Sequence, residues 1–146
     1  MVDMTMIRRT FTVPATADDV WDVFRDLGAV HTRLAPGFVT DTVLIADNMR
    51  KVTFANGAIV TERIVSLDDD ARRLAYTILE RAAEHHHASF EVLPADGGST
   101  VVWTTDVLRG PVAETFRATM VAAAPVIADA LSSASVGSDL SSSSPR

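Results

Sequence analysis

The chain has 146 residues, a formal net charge of −6 and no cysteine. This length suits one domain with a real hydrophobic core. The lack of cysteine excludes disulfides, thiolate metal sites and cysteine nucleophiles. The acidic balance argues against binding to nucleic acid or to anionic membranes. No apolar run approaches the ~20 residues of a membrane span. The first residues also lack the pattern of a signal peptide, so we expect a cytoplasmic protein without integral membrane association.

The N-terminal part of the sequence predicts one strand followed by two short helices. Met6–Val13 alternates apolar and polar residues, which is typical of a strand. Thr16 stands three residues before Asp19 in a spacing like that of a capping box, which marks the start of a helix. Gly28 is expected to follow that helix in the left-handed conformation. Ala29–Leu34 then predicts a second short helix.

The middle of the chain predicts a run of strands, because its apolar residues repeat with a period of two. Short links rich in Asp, Asn and Gly, such as Asn56-Gly57, separate the strands and force neighbours to run antiparallel. The predicted strands cover about 39–46, 49–55, 58–67, 72–80, 85–94 and 99–108.

A long helix is predicted after Gly110-Pro111, because Pro is favoured at a first helical position and an apolar stripe follows. Pro125 interrupts this stripe, and we expect a kink near Val121–Pro125 that lets the helix follow a curved sheet. We interpret residues 1–131 as one domain and the Ser-rich residues 132–146 as a disordered tail. The strand before the two short helices should close the far edge of the sheet, and the long helix should cover its concave face.

Several short segments follow one another along the chain in an order that is typical of a known protein family. They are Thr12-Val13-Pro14-Ala15 running into Val20-Trp21, Arg50 through Asn56-Gly57 to Glu62, Leu67-Asp68, Tyr76, the turn at Pro94–Thr100, Trp103 and the terminal helix. Together, Arg8–Leu131 resembles the polyketide cyclase/dehydrase branch of the START-like (SRPBCC) superfamily. The resemblance implies an α+β helix-grip fold, in which a seven-stranded curved antiparallel sheet wraps around the long C-terminal helix. It also implies a cavity for lipids, hormones or polyketides, and in some members cyclisation or dehydration.

The turn at Asn56-Gly57 decides which side chains face the interior. A two-residue turn would pair Lys51 with Glu62, whereas a three-residue turn with Gly57 in the left-handed position would pair Arg50 with Glu62. A slip of one residue would reverse every side chain on the strand. The three-residue turn separates apolar from polar residues more cleanly, and we prefer it.

On this register Arg50 and Glu62 form an ion pair on the apolar face of the sheet. An ion pair there is costly to desolvate unless it is well hydrogen-bonded. One interpretation is a polar anchor for a carbonyl, hydroxyl or carboxylate of a ligand. The other is a cross-strand pair near the rim of the sheet that serves only local stability. The sequence leaves both open.

His85-His86-His87 begins a predicted strand, and alternation places His86 inside and its two neighbours outside. His86 could be a general acid or base in a cavity, although a strand-end histidine near solvent is the favoured interpretation. His85 and His87 lack the further ligands that a metal site needs, so we expect no metal. We expect no cofactor either.

The leading hypothesis is a protein that binds a small hydrophobic molecule, lipid-like or aromatic and polyketide-like. The alternative is an enzyme of the cyclase or dehydratase type that uses Glu62, Arg50 or His86. An interaction protein without a ligand ranks last, because we expect no apolar run on the surface. Either a monomer or a homodimer fits. The expected ligand-binding residues are Arg50, Val52, Phe54, Glu62, Tyr76, His86, Phe90, Trp103, Phe116 and Met120.

Overall fold

The computed structural model describes residues 3–80, 83 and 85–134. Its strands are β1 (Met4–Val13), β2 (Val39–Ala46), β3 (Met49–Phe54), β4 (Ile59–Asp68), β5 (Arg73–Ile78), β6 (His87–Ala95) and β7 (Gly98–Leu108). Its α-helices are α1 (Ala17–Arg25) and α2 (Pro111–Ser132), and a π-helical turn spans Val30–Leu34. This order confirms the predicted α+β helix-grip class.

The strands form one seven-stranded sheet in the order β1-β7-β6-β5-β4-β3-β2. Every neighbouring pair is antiparallel, as the short links require for the five pairs that are consecutive in the chain. β1 lies at one edge and pairs with β7 along its whole length, from Met4 opposite Leu108 to Val13 opposite Ser99. The prediction that the first strand closes the sheet is therefore confirmed.

The core lies between the concave face of the sheet and α2. Alternate residues of β6 and β7 are buried, which is the pattern of strands with one face toward a core. On α2 the buried residues are spaced by three, four or seven positions, so one stripe of the helix meets the sheet. These buried helix residues are Ala113, Met120, Ala123, Ile127 and Leu131.

Helix α1 begins at the predicted position but ends before the position that Gly28 predicted. The hydroxyl of Thr16 accepts a hydrogen bond from the backbone N–H of Asp19 at 3.2 Å, as an N-cap does. The helix stops at Arg25, with Asp26 as its C-cap. Gly28 therefore does not follow the helix directly, and its φ lies outside the left-handed region. That part of the prediction was wrong, and the second short helix is a single π-helical turn.

Pro125 lies inside α2, as the sequence places it. Proline has no backbone N–H, so the carbonyl of Val121 lacks its usual helical donor. The predicted kink at this point stays a prediction. The helix includes Ser132, the first residue of the predicted tail, and residues 135–146 of that tail lie outside the described residues.

Edge strand β2 exposes three consecutive apolar side chains. Val43, Leu44 and Ile45 are 48%, 52% and 46% exposed. The expectation that no apolar run reaches the surface was therefore wrong here. These residues lie in the edge strand, where the register shifts between Leu44 and Ala46, and such a bulge locally disrupts the regular strand pattern. None of the helices in the described residues is long and apolar enough to cross a bilayer.

Candidate functional site

A cavity of about 80 Å³ lies between the sheet and α2. All of the residues expected from the sequence to bind a ligand line its wall. That these residues bind a ligand stays a prediction, because their position in the wall does not by itself show binding. The wall also contains Val30, Leu34, Ala35, Phe38, Val39, Ile78, Thr105, Thr119, Ala123 and Ile127.

The β3–β4 hairpin brings the two charged residues of the wall together. Arg50 is opposite Glu62 and Val52 is opposite Val60, so the preferred register is confirmed. Gly57 has φ +91° in the turn, a value that glycine adopts without the steric cost other residues incur. The backbone N–H of Phe54 bonds to the carbonyl of Ala58 at 2.8 Å, which closes a three-residue turn.

Arg50 and Glu62 form a buried ion pair in the cavity wall. The Nε of Arg50 donates to Oε1 of Glu62 at 2.8 Å, and the side chains are 4% and 10% exposed. The Nη1 of Arg50 also donates to the carbonyl of Leu27 at 3.1 Å. Arg50 therefore ties β3 and β4 to the segment after α1. The pair lies in the wall of the cavity, so both interpretations stay open: an anchor for a polar group of a ligand, or a cross-strand pair that serves only local stability.

A column of stacked rings crosses the sheet, and it consists of Tyr76 on β5, Phe90 on β6 and Trp103 on β7. The ring centroids of Phe90 and Trp103 are 4.8 Å apart, and those of Tyr76 and Phe90 are 6.1 Å apart. The Nε1–H of Trp103 donates to the hydroxyl of Tyr76 at 3.2 Å. Burial, with the negative charge of Glu62, raises the pKa of Tyr76. The phenol therefore stays protonated at neutral pH.

His86 is buried against the same cavity, as alternation predicts, although it stands just before β6. The favoured interpretation of a strand-end histidine near solvent was therefore wrong. The backbone N–H of Ile78 donates to its Nδ1 at 3.1 Å. Its ring lies 4.9 Å from that of Phe116, centroid to centroid. Burial, together with the neighbouring His87, lowers the pKa of His86 to about 4. The imidazole is therefore neutral at pH 7.

Histidines 85 and 87 are exposed, as expected. Within residues 3–80, 83 and 85–134, no group of three or more His, Cys, Asp or Glu side chains is placed to hold a metal ion.

A larger outer cavity of about 620 Å³ adjoins the inner one. It opens between the β3–β4 turn, the end of β5 and the first turns of α2. The two cavities share part of their lining, so the same side chains separate them. The shared residues are Phe38, Phe54, Ile78, Phe116 and Thr119.

Sequence reasoning missed two polar residues of the inner wall. Thr105 has the same parity as Trp103 on β7, so alternation could have placed it inside. Thr119 lies three residues after Phe116 on α2, a spacing that puts both on one face of a helix. The sequence held no signal for the carbonyl of Leu27, since it is a backbone group.

Comparison with known proteins gave a family and a set of similar structures. Residues 4–133 match the model of the family described as polyketide cyclase / dehydrase and lipid transport. A search of the curated proteins found no match.

Three solved structures illustrate the shared fold. Norcoclaurine synthase from Thalictrum flavum, in complex with dopamine and hydroxybenzaldehyde, has a TM-score of 0.69 and 21% identity, and the match covers 88% of this chain and 84% of that chain. An aromatase/cyclase from Streptomyces sp. R1128 has a TM-score of 0.68 and 21% identity, covering 88% and 91%. A protein from Thermobifida fusca has a TM-score of 0.70 and 28% identity, covering 86% and 92%.

Proposed function

Because the chain belongs to the polyketide cyclase / dehydrase and lipid transport family, we propose that it binds a small hydrophobic molecule, lipid-like or aromatic and polyketide-like, between the sheet and α2. The observation that carries this proposal is the composition of the cavity wall. Most of its side chains are apolar, and a few polar ones, including Glu62, Tyr76 and His86, are buried among them. Ligand sites commonly combine an apolar lining with a few placed polar groups.

The sizes of the two cavities suggest how a ligand lies. The inner cavity of about 80 Å³ is smaller than the ~150 Å³ cavity that holds a benzene molecule in an engineered protein. The outer cavity of about 620 Å³ falls within the usual range for a ligand site, about 300–1,000 Å³. We therefore place the polar end of the ligand in the inner cavity and its apolar body in the outer one.

Titration with an environment-sensitive probe, such as ANS or a fluorescent fatty-acid analogue, tests this proposal. We expect saturable binding with one probe per chain. Thr119→Trp should block binding, because Thr119 lines both cavities. Ala118→Trp is the matched control, since it adds the same ring to the same helix at an exposed position. Absence of saturable binding, or equal loss in both variants, would contradict the proposal.

Native mass spectrometry provides a second, independent test. Protein freshly purified from its own host should retain a small molecule whose mass appears directly in the spectrum. The Thr119→Trp variant purified in the same way should lack that mass.

A second candidate function is an enzyme of the cyclase or dehydratase type that uses Glu62, Arg50 or His86 as acid or base. One observation favours it: Glu62 and His86 line the same cavity. A base in such a site would remove a proton next to a bound carbonyl group. Deuterium exchange into the methyl group of 2-acetylnaphthalene in D₂O reports that step. Exchange above the solvent rate that is lost in Glu62→Gln would support an enzyme, whereas exchange at the solvent rate would contradict it.

A further inference from the structure

Two side chains of the inner cavity have their acceptor atoms already bound by the protein. The Nδ1 of His86 accepts from the backbone N–H of Ile78 at 3.1 Å. The hydroxyl oxygen of Tyr76 accepts from Nε1–H of Trp103 at 3.2 Å, and indole can only donate. The accepting nitrogen of His86 is therefore assigned, and Tyr76 already accepts one hydrogen bond, before any ligand arrives.

Each of these side chains retains one hydrogen to donate. In a neutral imidazole one nitrogen accepts and the other carries the proton, so the proton of His86 is on Nε2. Tyr76 retains its O–H. Among the described residues no side chain accepts a hydrogen bond from either group. Among the described residues no fully buried side-chain nitrogen or oxygen lacks a partner, so Nε2 must border open space, and His86 borders the cavity.

The two rings that carry these donors are close together, and neither side chain carries a net charge. The ring centroids of Tyr76 and His86 lie 5.7 Å apart, and both residues line the inner cavity. The nearby positive charge of Arg50 already faces Glu62 at 2.8 Å. The polar end of the cavity thus offers neutral hydrogen-bond donors without an uncompensated positive charge, which favours a neutral acceptor over a carboxylate.

We propose that Tyr76 and His86 jointly bind the carbonyl oxygen of a neutral, apolar ligand, such as an aryl ketone. This inference rests on the proposed ligand-binding function and specifies the chemical class of the ligand. A carbonyl oxygen has two lone pairs, so it accepts one hydrogen bond from each donor.

A matched pair of probes tests the proposal. 2-Acetylnaphthalene and 2-isopropenylnaphthalene have nearly the same shape, and differ in that a C=CH₂ group replaces C=O. The acetyl group is expected to occupy the inner cavity and the naphthalene the outer one. With two neutral hydrogen bonds we expect the ketone to bind roughly tenfold or more tightly than the alkene. Affinities are measured by calorimetry or by the fluorescence of the naphthalene.

Three variants assign the effect to residues. Tyr76→Phe and His86→Asn should each lower the preference for the ketone about fivefold. In His86→Asn the amide oxygen can still accept the hydrogen bond from the backbone N–H of Ile78, so this variant should keep the native fold. Thr104→Val is the matched control, since it removes a hydroxyl from the same strand as Trp103 at a position that lines neither cavity, and it should leave the preference unchanged. Circular dichroism checks the fold of each variant.

The infrared stretch of the probe's carbonyl gives a readout that a purely structural role would not move. Donation to the oxygen lowers the stretching frequency, so it should be lower in the native protein than in His86→Asn. Equal affinities for the two probes would overturn the donor pair and leave ligand binding intact. Failure of both probes to bind would overturn the proposed function as well. The proposed donor pair would also be overturned if His86→Asn changed neither the preference for the ketone nor the stretching frequency of its carbonyl.

Discussion

Replacing Arg50 by Met would leave the carboxylate of Glu62 in the cavity wall without its guanidinium partner. The native pair is joined by a 2.8 Å hydrogen bond, and both side chains are almost fully buried. Removing one member of such a pair typically costs about 3–5 kcal/mol of stability, because an uncompensated charge stays buried. The carbonyl of Leu27 loses its donor in the same variant. The total stability of a domain is only about 5–15 kcal/mol, so this loss should be easy to measure.

A double-mutant cycle separates the charge from the packing. Arg50→Met combined with Glu62→Leu removes both charges, so the double variant should be more stable than Arg50→Met alone. The coupling free energy should reach about 2 kcal/mol or more. Arg117→Met is the matched control, because Arg117 pairs with Glu114 at 3.7 Å and is 44% exposed. Loss of that surface pair should cost no more than about 1 kcal/mol.

Urea unfolding at pH 7, followed by tryptophan fluorescence, gives the free energies for this cycle. The m-value should be the same in all variants, so that shifts of the midpoint report stability. If Arg50→Met cost no more than Arg117→Met, or if the two single effects simply added, the interpretation of a tightly coupled buried pair would be refuted.

Three further predictions concern other parts of the fold. In Gly98→Ala the new Cβ would lie 2.0 Å from the carbonyl oxygen of Val13, so urea unfolding should show a loss of about 3 kcal/mol or more. Phe116→Ala should join the two cavities, and titration should show tighter binding of bulkier probes despite a lower melting temperature. The pKa of His86 is about 4 when folded and about 6.5 when unfolded, so the unfolded state binds more protons between these values. Stability should therefore fall as pH drops from about 6.5 to 4, and His86→Asn should reduce that slope in urea midpoints measured across this range.

The sequence predicted the sheet well because its turns are chemically distinct. Asn56-Gly57 admits two registers, and only the three-residue turn places Val52 and Ile64 on the same face as the ion pair. The structure has that register and buries both apolar residues. Gly57 in the turn, with the alternation of apolar and polar residues on β3 and β4, was therefore enough to predict that Arg50 and Glu62 face the interior.

Other features depend on contacts that a local pattern does not contain. The end of α1 depends on Asp26, whose N–H bonds to the carbonyl of Val23 at 3.3 Å, and Gly28 alone predicted the wrong position. Likewise, the bond from Ile78 to Nδ1 of His86 joins a backbone group to a ring eight residues away. Alternation along the strand predicted that His86 faces inward, but its protonation state followed only from that bond and from burial.

The pairing of β1 with β7 has a consequence for the order of events during synthesis. The ribosome releases the N-terminus first, and Met4–Val13 pairs with Gly98–Leu108, about 90 residues later. At the usual rate of elongation this interval lasts roughly 5–20 seconds. Helix α2 emerges later still, so the cavity forms only once the chain from Met4 to Ser132 has left the ribosome. Any molecule that needs this cavity therefore cannot assist an earlier stage of folding.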